Sequence, residues 1–370
     1  MVYRSLLRPL LFRLPAETAH ELALHSLSLL KAGPINNFVR RRYTNAAFGK
    51  LERFGLNFAN PVGLAAGFDK DGVALRSLSA LGFGFIEAGT VTYHPQPGNP
   101  KPRLFRLPED QALINRAGFN NSGAAAFAQR VTGNRPDCIL GVSIGKSKIV
   151  SLEEATSDYL ASLELVYPVA DYIAINVSSP NTPQLRELQR ADQLESLLRS
   201  LRARSLELQV QYERARSMPL LVKLSPDLDA KQLDLIVDVV SRLNIDGLIA
   251  ANTTTSRTGL QSPAATVQQI GDGGLSGLPL RQTATEMIAR LYVLTKGRIP
   301  LIGVGGIFTS ADAWEKIAAG ASLVQLYTGL IYGGPAIASR INDGLIDILS
   351  ERGFKHLDEA VGHRATELLS

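Results

Sequence analysis

The chain has 370 residues, of which 45% are hydrophobic and 20% are charged, a composition typical of a folded globular protein rather than a disordered one. Its single cysteine, Cys138, excludes an intrachain disulfide and any two-cysteine redox motif. The net charge of +5 resides in residues 1–42, which hold seven basic and two acidic side chains, so the remainder is neutral. The sequence therefore predicts no nucleic-acid-binding groove.

Residues 1–42 combine this positive charge with short apolar runs. No run reaches the roughly 20 residues that span a bilayer, no secretory signal pattern is present, and Pro15-Ala16-Glu17 argues against a transit peptide. Pro15 suits the first turn of a helix that runs to Gly33-Pro34. We predict a small lobe, a pair of helices that lie in a membrane interface, with a helical cap on the floor of the main domain as the alternative.

Beyond residue 42, apolar runs alternate with stretches of helical period. Eight runs resemble buried strands: Val62–Ala66, Gly84–Glu87, Ile139–Ile144, Tyr172–Val177, Leu220–Leu224, Gly247–Asn252, Leu301–Val304 and Leu323–Leu326. Helical stretches lie between most of them: Leu152–Val166, Gln193–Arg214, Lys231–Leu243, Leu280–Leu294 and Ala311–Ala319. The alternation is typical of a parallel sheet. Eight such units predict that residues 43–370 form an α/β domain, a (β/α)8 TIM barrel.

An open, doubly wound sheet would show the same alternation. Such a sheet concentrates its site at one switch point, whereas here polar side chains follow most strands, at Lys70, Thr90, Asn176, Lys223 and Asn252. A closed barrel brings all of these strand ends to one face. The distribution of polar residues therefore favours the barrel.

Between the second and third strands, the segment Pro95–Pro136 is long for a barrel loop. Its first part, Pro95–Pro102, has four prolines in eight residues, and prolines at this density cannot continue a helix or a central strand. We predict small extra strands and a lid-like loop at Asn115–Asn120 on the catalytic face of the barrel.

Four motifs together resemble those of the dihydroorotate dehydrogenase family, in its membrane-associated, quinone-using class 2. They occur in the family's order and are Leu64–Lys70 (LAAGFDK), Asn115–Asn120 (NRAGFN), Ile175–Thr182 (INVSSPNT) and Gly303–Ile307 (GVGGI). The resemblance extends over nearly the whole chain. It implies oxidation of dihydroorotate to orotate in de novo pyrimidine (UMP) biosynthesis, with one FMN per chain, a quinone as electron acceptor and no metal.

Barrels commonly bind phosphate with the loops after the last two strands. Gly303–Gly306 and Tyr327–Gly329 occupy these positions, and similar loops in the family bind the FMN phosphate. The resemblance implies a flavin site formed by Ala66, Gly67, Phe68, Asp69, Lys70, Thr90, Ser143, Asn176, Lys223, Ala251, Gly277 in the turn Gly273–Gly277, Gly306, Tyr327 and Thr328. Ser143 and Ala251 depart from the family, where Asn and Thr are usual, and each loses or shortens a hydrogen bond worth about 1 kcal/mol.

Lys223 lies in an apolar strand, between Val222 and Leu224. An unpaired ammonium is costly to bury. We interpret Lys223 as a cation that stabilises the reduced flavin, with a salt bridge to a barrel carboxylate as the alternative.

The substrate implied by the resemblance is a flat cyclic ureide with a carboxylate, whose edges alternate carbonyl acceptors and N–H donors. An asparagine amide can donate to the carbonyl acceptors and accept from the N–H donors. Asparagine is also common in turns. The resemblance assigns substrate binding to Asn115, Asn176, Asn181, Asn252, Thr253, Lys70 and the lid residues Arg116, Ala117, Gly118 and Phe119. Lys70 would face the substrate carboxylate, unless it pairs with Asp69 or Asp71 on a solvated loop.

Oxidation of dihydroorotate removes a proton from C5 and a hydride from C6, so the site needs a base. The resemblance assigns this role to Ser179, whose hydroxyl requires preorganised donors and exclusion of bulk water. A turn cap before Pro180 is the alternative role. The soluble classes of the family use cysteine, but Cys138 lies far in sequence from this motif.

The resemblance also implies that the N-terminal helices form a tunnel that leads quinone to the flavin, lined by His20, Arg106 and Tyr327. For a bacterial source it predicts a peripheral membrane protein on the cytoplasmic face of the cell membrane, attached through residues 1–42. Two other hypotheses are a flavin barrel that uses nicotinamide and an inactive barrel that serves as a membrane-surface scaffold. A nicotinamide user would usually need a second domain or cluster-binding cysteines.

Overall fold

The computed structural model describes residues 3–30, 33–44 and 48–369. Eight parallel strands pair in chain order and close into a barrel, which confirms the predicted fold and excludes the open sheet. From first to eighth, the barrel strands are Val62–Leu64, Phe85–Val91, Ile139–Ile144, Tyr172–Asn176, Leu220–Leu224, Gly247–Ala250, Leu301–Val304 and Ala321–Leu326. Every predicted strand overlaps one of them, because parallel strands covered on both faces read as continuous apolar runs.

Helices surround the barrel and separate its strands. In chain order they are Leu75–Ser79, Ala124–Thr132, Ala155–Val166, Ala191–Gln211, Ala230–Arg242, Ala264–Ile270, Arg281–Thr295, Ser310–Ala319, Thr328–Gly333, Ile337–Glu351 and Leu357–Ala360. Short 3-10 turns occur at Leu185–Gln189, Leu278–Leu280 and Glu367–Leu369. The five predicted helices agree with the structure within three residues at each end.

Local capping defines where two of these helices begin. The Asp229 side chain accepts a hydrogen bond from the Gln232 backbone, and the Gln232 side chain accepts from the Asp229 backbone. Thr309 and Asp312 form the same reciprocal pair. These reciprocal pairs are capping boxes. They provide hydrogen-bond acceptors for backbone N–H groups that have no partner in the first turn of a helix.

The floor of the barrel is closed by an antiparallel hairpin of Leu51–Arg53 and Leu56–Phe58. Phe58 packs edge-on against Phe85, with ring centroids 5.4 Å apart. The Phe85 ring occupies the space that a side chain on Gly63 would need. These aromatic rings fill this end of the barrel, so a functional site can form only at the opposite end.

The long insertion forms extra strands, as predicted, but two details differ. Leu104–Leu107, Ala112–Asn115 and Gly274–Gly277 make a three-stranded antiparallel sheet, so most of the predicted Gly273–Gly277 turn is a strand. The insertion also contains the helix Ala124–Thr132. The glycine-rich sequence did not predict this strand, because the strand forms only through hydrogen bonds to Ala112–Asn115, which is distant in sequence.

The N-terminal lobe contains more helical segments than the predicted pair. A π-helical turn, Tyr3–Leu7, precedes the helices Arg8–Phe12, Ala16–Leu29 and Pro34–Tyr43. The helix predicted from Pro15 to Gly33 ends at Leu29, and the last helix ends one residue beyond the proposed boundary at residue 42. Among the residues described, no helix is long and apolar enough to cross a membrane.

Candidate functional site

A cavity of about 360 Å³ lies at the carboxyl ends of the barrel strands, beneath the insertion and the N-terminal lobe. This volume is within the range of pockets that bind cofactors and small ligands. Most residues predicted for the site line it. They are Ala66, Gly67, Phe68, Asp69, Lys70, Thr90, Asn115, Ala117, Gly118, Phe119, Asn176, Ser179, Asn181, Lys223, Ala251, Asn252, Thr253, Gly277, Gly306, Tyr327, Thr328 and His20.

Asn176, the last residue of the fourth barrel strand, is the centre of a hydrogen-bond network. Its Nδ2 donates to Thr90 Oγ1 at 2.8 Å, and its Oδ1 accepts from Asn252 Nδ2 at 3.3 Å and Ser178 Oγ at 3.2 Å. Asn252 Nδ2 also lies 2.9 Å from Ser178 Oγ. The network fixes the orientation of both amides, so each presents a defined edge to the cavity.

The two residues that depart from the family pattern lie differently around this network. Ser143 is fully buried outside the cavity wall, with its Oγ 2.9 Å from Thr90 Oγ1. Ser143 therefore contacts the site through Thr90. Ala251 lines the cavity and offers no side-chain hydrogen bond there.

A second pair of asparagines connects the catalytic loop to the insertion. Asn181 Nδ2 donates to Asn115 Oδ1 at 3.0 Å, and Asn115 Nδ2 donates to the carbonyl of Gly274 at 3.3 Å. Asn99 Nδ2 lies 3.4 Å from the carbonyl of Asn181. These contacts hold the insertion over the cavity as a cover.

Ser179 is buried in the cavity wall, with 6% of its surface exposed. Its Oγ accepts a hydrogen bond from the backbone N–H of Asn181 at 3.3 Å. The hydroxyl therefore caps the turn and also faces the cavity, so its two predicted roles are compatible. Among the residues described, no histidine or carboxylate is hydrogen-bonded to this hydroxyl.

Lys70 lines the cavity without pairing with its acidic neighbours. The Asp69 carboxylate accepts from the backbone N–H groups of Val73 and Ala74, at 2.9 and 2.8 Å. Asp71 accepts from Ser122 Oγ at 2.6 Å. Burial and, secondarily, the charge of Arg103 lower the pKa of Lys70. A half-buried ammonium that has no salt bridge in the described chain favours an anionic ligand group at this point.

Lys223 forms the floor of the cavity together with residues inside the barrel. Its Nζ lies 3.0 Å from Glu87 Oε1, and Gln325 Nε2 donates to Glu87 Oε2 at 2.9 Å. Gln325 Oε1 is buried without a hydrogen-bond partner, and Gln325 also lines the cavity. The salt bridge considered as the alternative for Lys223 is present, and the lysine nevertheless reaches the cavity.

Glycine loops form one end of the cavity. Gly305 and Gly306 follow the seventh strand with φ of +120° and +69°, a region that favours glycine. A side chain on Gly306 would collide with Arg281. Thr328 and Gly329 line the cavity after the eighth strand. Close approach of the backbone at two adjacent strand ends suits a phosphate, which backbone N–H groups can bind.

The helix Ala16–Leu29 covers the other side of the cavity. The His20 ring packs edge-on against Phe68 with centroids 5.0 Å apart, and Phe68 lies 5.9 Å from Tyr327. Burial, followed by the charge of Lys70, lowers the pKa of His20 to about 4, so its imidazole is neutral near pH 7. Burial raises the pKa of Tyr327 to about 12. The three uncharged rings therefore form an aromatic patch where the lobe meets the barrel.

Besides Ser143, two predicted residues do not line the cavity, Arg106 and Arg116. Arg106 donates to the carbonyl of Leu14 at 2.8 Å, and its guanidinium lies 4.6 Å from the centroid of the Phe12 ring. Arg116 lies 4.7 Å from the centroid of the Phe105 ring and donates to the carbonyl of Ile270. Each arginine stabilises surrounding backbone: Arg106 in the N-terminal lobe and Arg116 beside the insertion.

The residues that hold the catalytic loops together were not predicted from the sequence. Arg186 Nε donates to the carbonyl of Ser178 at 3.2 Å, its Nη2 to the carbonyl of Thr253 at 3.2 Å, and its Nη1 pairs with Asp227 Oδ2 at 2.9 Å. Arg186 thus joins loops after the fourth, fifth and sixth strands. Charged loop residues are common, so the sequence offered no signal for it. Glu87 could have been predicted from the sequence, because an acidic residue in an apolar strand is as unusual as the basic residue Lys223 in its own strand.

The single cysteine lies apart from the proposed catalytic residues. Cys138 lies outside the cavity walls, and burial raises its pKa far above the usual range. Among the residues described, no cluster of His, Cys, Asp or Glu could hold a metal ion.

A family model described as Dihydroorotate dehydrogenase matches residues 50–349. The chain belongs to the dihydroorotate dehydrogenase family. It is similar to the dihydroorotate dehydrogenase (quinone) of Gloeobacter violaceus, with 49% identity over 371 residues and 98% of each chain covered. The corresponding protein of Mycobacterium tuberculosis is 49% identical over 360 residues, with 96% of this chain and 97% of that protein covered.

A solved structure of the family has the same architecture. The crystal structure of DHODH in complex with ferulenol from Eimeria tenella superposes with a TM-score of 0.82 at 36% identity, and covers 94% of this chain and 95% of that one. Coverage of 94% of this chain means that nearly all of its length shares the architecture of that dihydroorotate dehydrogenase structure.

Proposed function

We propose that this chain oxidises dihydroorotate to orotate and passes the electrons to a quinone, as a step of de novo pyrimidine (UMP) biosynthesis. The observation that carries the proposal is the convergence of a hydroxyl, a cation and four amides on one cavity: Ser179, Lys70, Asn115, Asn176, Asn181 and Asn252. Amides match the alternating edges of a cyclic ureide, the ammonium matches its carboxylate, and the hydroxyl can accept a proton. Family membership and the quinone-specific names of the relatives support the same reaction.

The other part of the cavity fits FMN. Gly305 and Gly306 bring backbone N–H groups to one end, where they and Thr328 would hold the phosphate. Ala66 and Gly67 leave room for a flat ring, and the orphaned Gln325 Oε1 and the Lys223 ammonium offer an acceptor and a cation at the floor. The chemistry that FMN supplies when bound is reversible two-electron transfer between substrate and quinone.

The protein's own residues orient dihydroorotate and remove its proton. Lys70 holds the carboxylate, and the fixed amides of Asn176 and Asn252 hold the ring edge. Ser179 Oγ takes the proton from C5 and gives up its own hydroxyl proton through a relay to solvent, while a hydride leaves C6 and its two electrons reach the quinone. The substrate thus loses two electrons and two protons overall, and the quinone gains two electrons and two protons. The covering insertion excludes bulk water, which a serine base requires.

Quinone enters through the N-terminal lobe in this proposal. The neutral rings of His20, Phe68 and Tyr327 lie between the helix Ala16–Leu29 and the cavity, and they suit a flat, uncharged acceptor. Large apolar side chains of the lobe are exposed, including Leu6 at 61% and Phe38 at 70%. Together with the local positive charge, these favour peripheral attachment to the cytoplasmic face of a bacterial membrane.

Steady-state turnover tests the proposed reaction. The purified protein is given dihydroorotate with a soluble quinone, and in a parallel assay dihydroorotate with NAD⁺. We expect orotate to form at a rate that depends on the quinone and not on NAD⁺. Turnover with NAD⁺ alone would favour the nicotinamide-using alternative, and absence of bound flavin would favour an inactive scaffold.

Deletion of residues 1–42 tests the membrane proposal. The shortened protein should still be reduced by dihydroorotate, but it should lose turnover with long-chain quinones and binding to anionic vesicles. A shortened protein that binds FMN and reduces long-chain quinone at the full-length rate would contradict the role of the lobe.

A further inference from the structure

We propose that Glu87 is the counter-charge that positions Lys223 and sets the reduction potential of the bound flavin, an inference that rests on the function proposed above. Glu87 lies on the second barrel strand and Lys223 on the fifth. Their side chains meet inside the barrel, with Nζ 3.0 Å from Oε1 and exposed fractions of 6% for Lys223 and 0% for Glu87. Solvent therefore contributes little screening to this pair.

Both oxygens of Glu87 are held in place. Lys223 occupies Oε1, and Oε2 accepts from Tyr172 OH at 3.2 Å and from Gln325 Nε2 at 2.9 Å. These four residues come from the second, fourth, fifth and eighth strands, so the cluster crosses the barrel interior. Lys223 and Gln325 line the cavity, whereas Glu87 and Tyr172 do not. Glu87 is thus a positioning residue that acts on the cavity through Lys223 and through its field.

The arrangement has a predictable electrostatic consequence. Reduction adds negative charge to a flavin, and a nearby cation stabilises that charge. A carboxylate 3.0 Å from the same cation offsets part of its field. Glu87 therefore keeps the flavin potential lower than an unpaired Lys223 would give, and it also lowers the cost of burying the ammonium.

Glu87→Gln tests this role, because it removes the charge while preserving size and a hydrogen-bond acceptor for Lys223. The measurement is the midpoint potential of the flavin in the holoenzyme, followed by its absorbance during a reductive titration. We expect the potential to rise relative to the parent protein. Glu87→Asp, which retains the charge, should restore a potential close to the parent's. Melting temperature measures any purely structural effect, which by itself would not shift the potential.

Tyr172→Phe is an independent variant that should shift the flavin potential in the opposite direction. It removes a neutral donor from Glu87 and leaves the carboxylate less compensated, so the potential should fall. A flavin-loaded E87Q at or below the parent potential would overturn the inference. If E87Q does not retain flavin, the test rests on Y172F. A flavin potential in Y172F at or above that of the parent protein would overturn the inference. A parent protein that binds no flavin would instead contradict the proposed function.

Discussion

Arg103 and Glu17 join the N-terminal lobe to the insertion through a largely buried ion pair. Arg103 Nη2 and Nε both donate to Glu17 Oε1, at 2.7 and 3.0 Å, and the side chains are 8% and 18% exposed. Arg103 also donates to the carbonyls of Pro97 and Asn99. One guanidinium therefore connects the proline-rich loop with the helix Ala16–Leu29, which carries His20.

Glu17→Gln should loosen the lobe without damaging the flavin site. Burial alone would raise the pKa of Glu17, but Arg103 and Lys101 outweigh it and hold the pKa below its usual value. Loss of the charge should cost about 1–3 kcal/mol of helix docking. Limited proteolysis of residues 1–42 should accelerate, and long-chain quinone turnover should fall while flavin reduction by dihydroorotate persists.

Glu21→Gln is the matched control for Glu17. Glu21 lies on the same helix and pairs with Lys101, but both side chains are more than half exposed, and exposed pairs contribute little. Equal effects of the two substitutions would contradict the assigned role of the Arg103–Glu17 pair.

Burial of His20 predicts acid sensitivity of the lobe. The unfolded chain takes up a proton on His20 near pH 6.5, whereas the folded protein does so only near pH 4. The associated stability is fully present above pH 6.5 and is lost as pH falls towards 4, with a total of about 3 kcal/mol at most. Chemical unfolding at pH 7 and pH 4.5 should show a smaller loss for His20→Gln than for the parent. The exposed His25→Gln on the same helix should behave like the parent, and an unchanged pH dependence in H20Q would refute the assignment.

Ser179→Ala should leave FMN bound and slow flavin reduction by dihydroorotate by about 10²–10⁴-fold, because only proton abstraction is impaired. Rapid-mixing absorbance under anaerobic conditions measures this step. Ser178→Ala offers a contrast, since that hydroxyl contacts Asn176 and Asn252 and should mainly weaken substrate binding. Near-normal reduction in S179A at neutral pH would remove Ser179 from the role of base.

Lys223→Ala should lose flavin and stability together. Removal of the ammonium leaves Glu87 buried without its cation, and breaking such a pair from one side costs about 3–5 kcal/mol. Flavin content after purification and the free energy of unfolding are the two readouts. Lys231→Ala, on the outer face of the helix Ala230–Arg242, should change neither. Stoichiometric flavin and unchanged turnover in K223A would show that the cation has no role at the site.

The barrel was predictable from the sequence because its strands are buried on both faces and read as continuous apolar runs. Lys70 and Asn176 were predictable because polar side chains that follow barrel strands converge on one face, and Lys223 was predictable because an unpaired ammonium is costly to bury. Arg186 and Glu17 were not, because each acts through a partner distant in sequence and each resembles an ordinary surface charge. The strand Gly274–Gly277 escaped prediction for a related reason, since it exists only through pairing with Ala112–Asn115.

The most direct test of the central claim is anaerobic mixing of the purified protein with dihydroorotate, followed by addition of quinone. The flavin absorbance should bleach with dihydroorotate as orotate forms, and it should recover when quinone is added, without any nicotinamide. A protein that carries flavin but does not bleach with dihydroorotate, or that recovers only with a nicotinamide acceptor, would contradict the account.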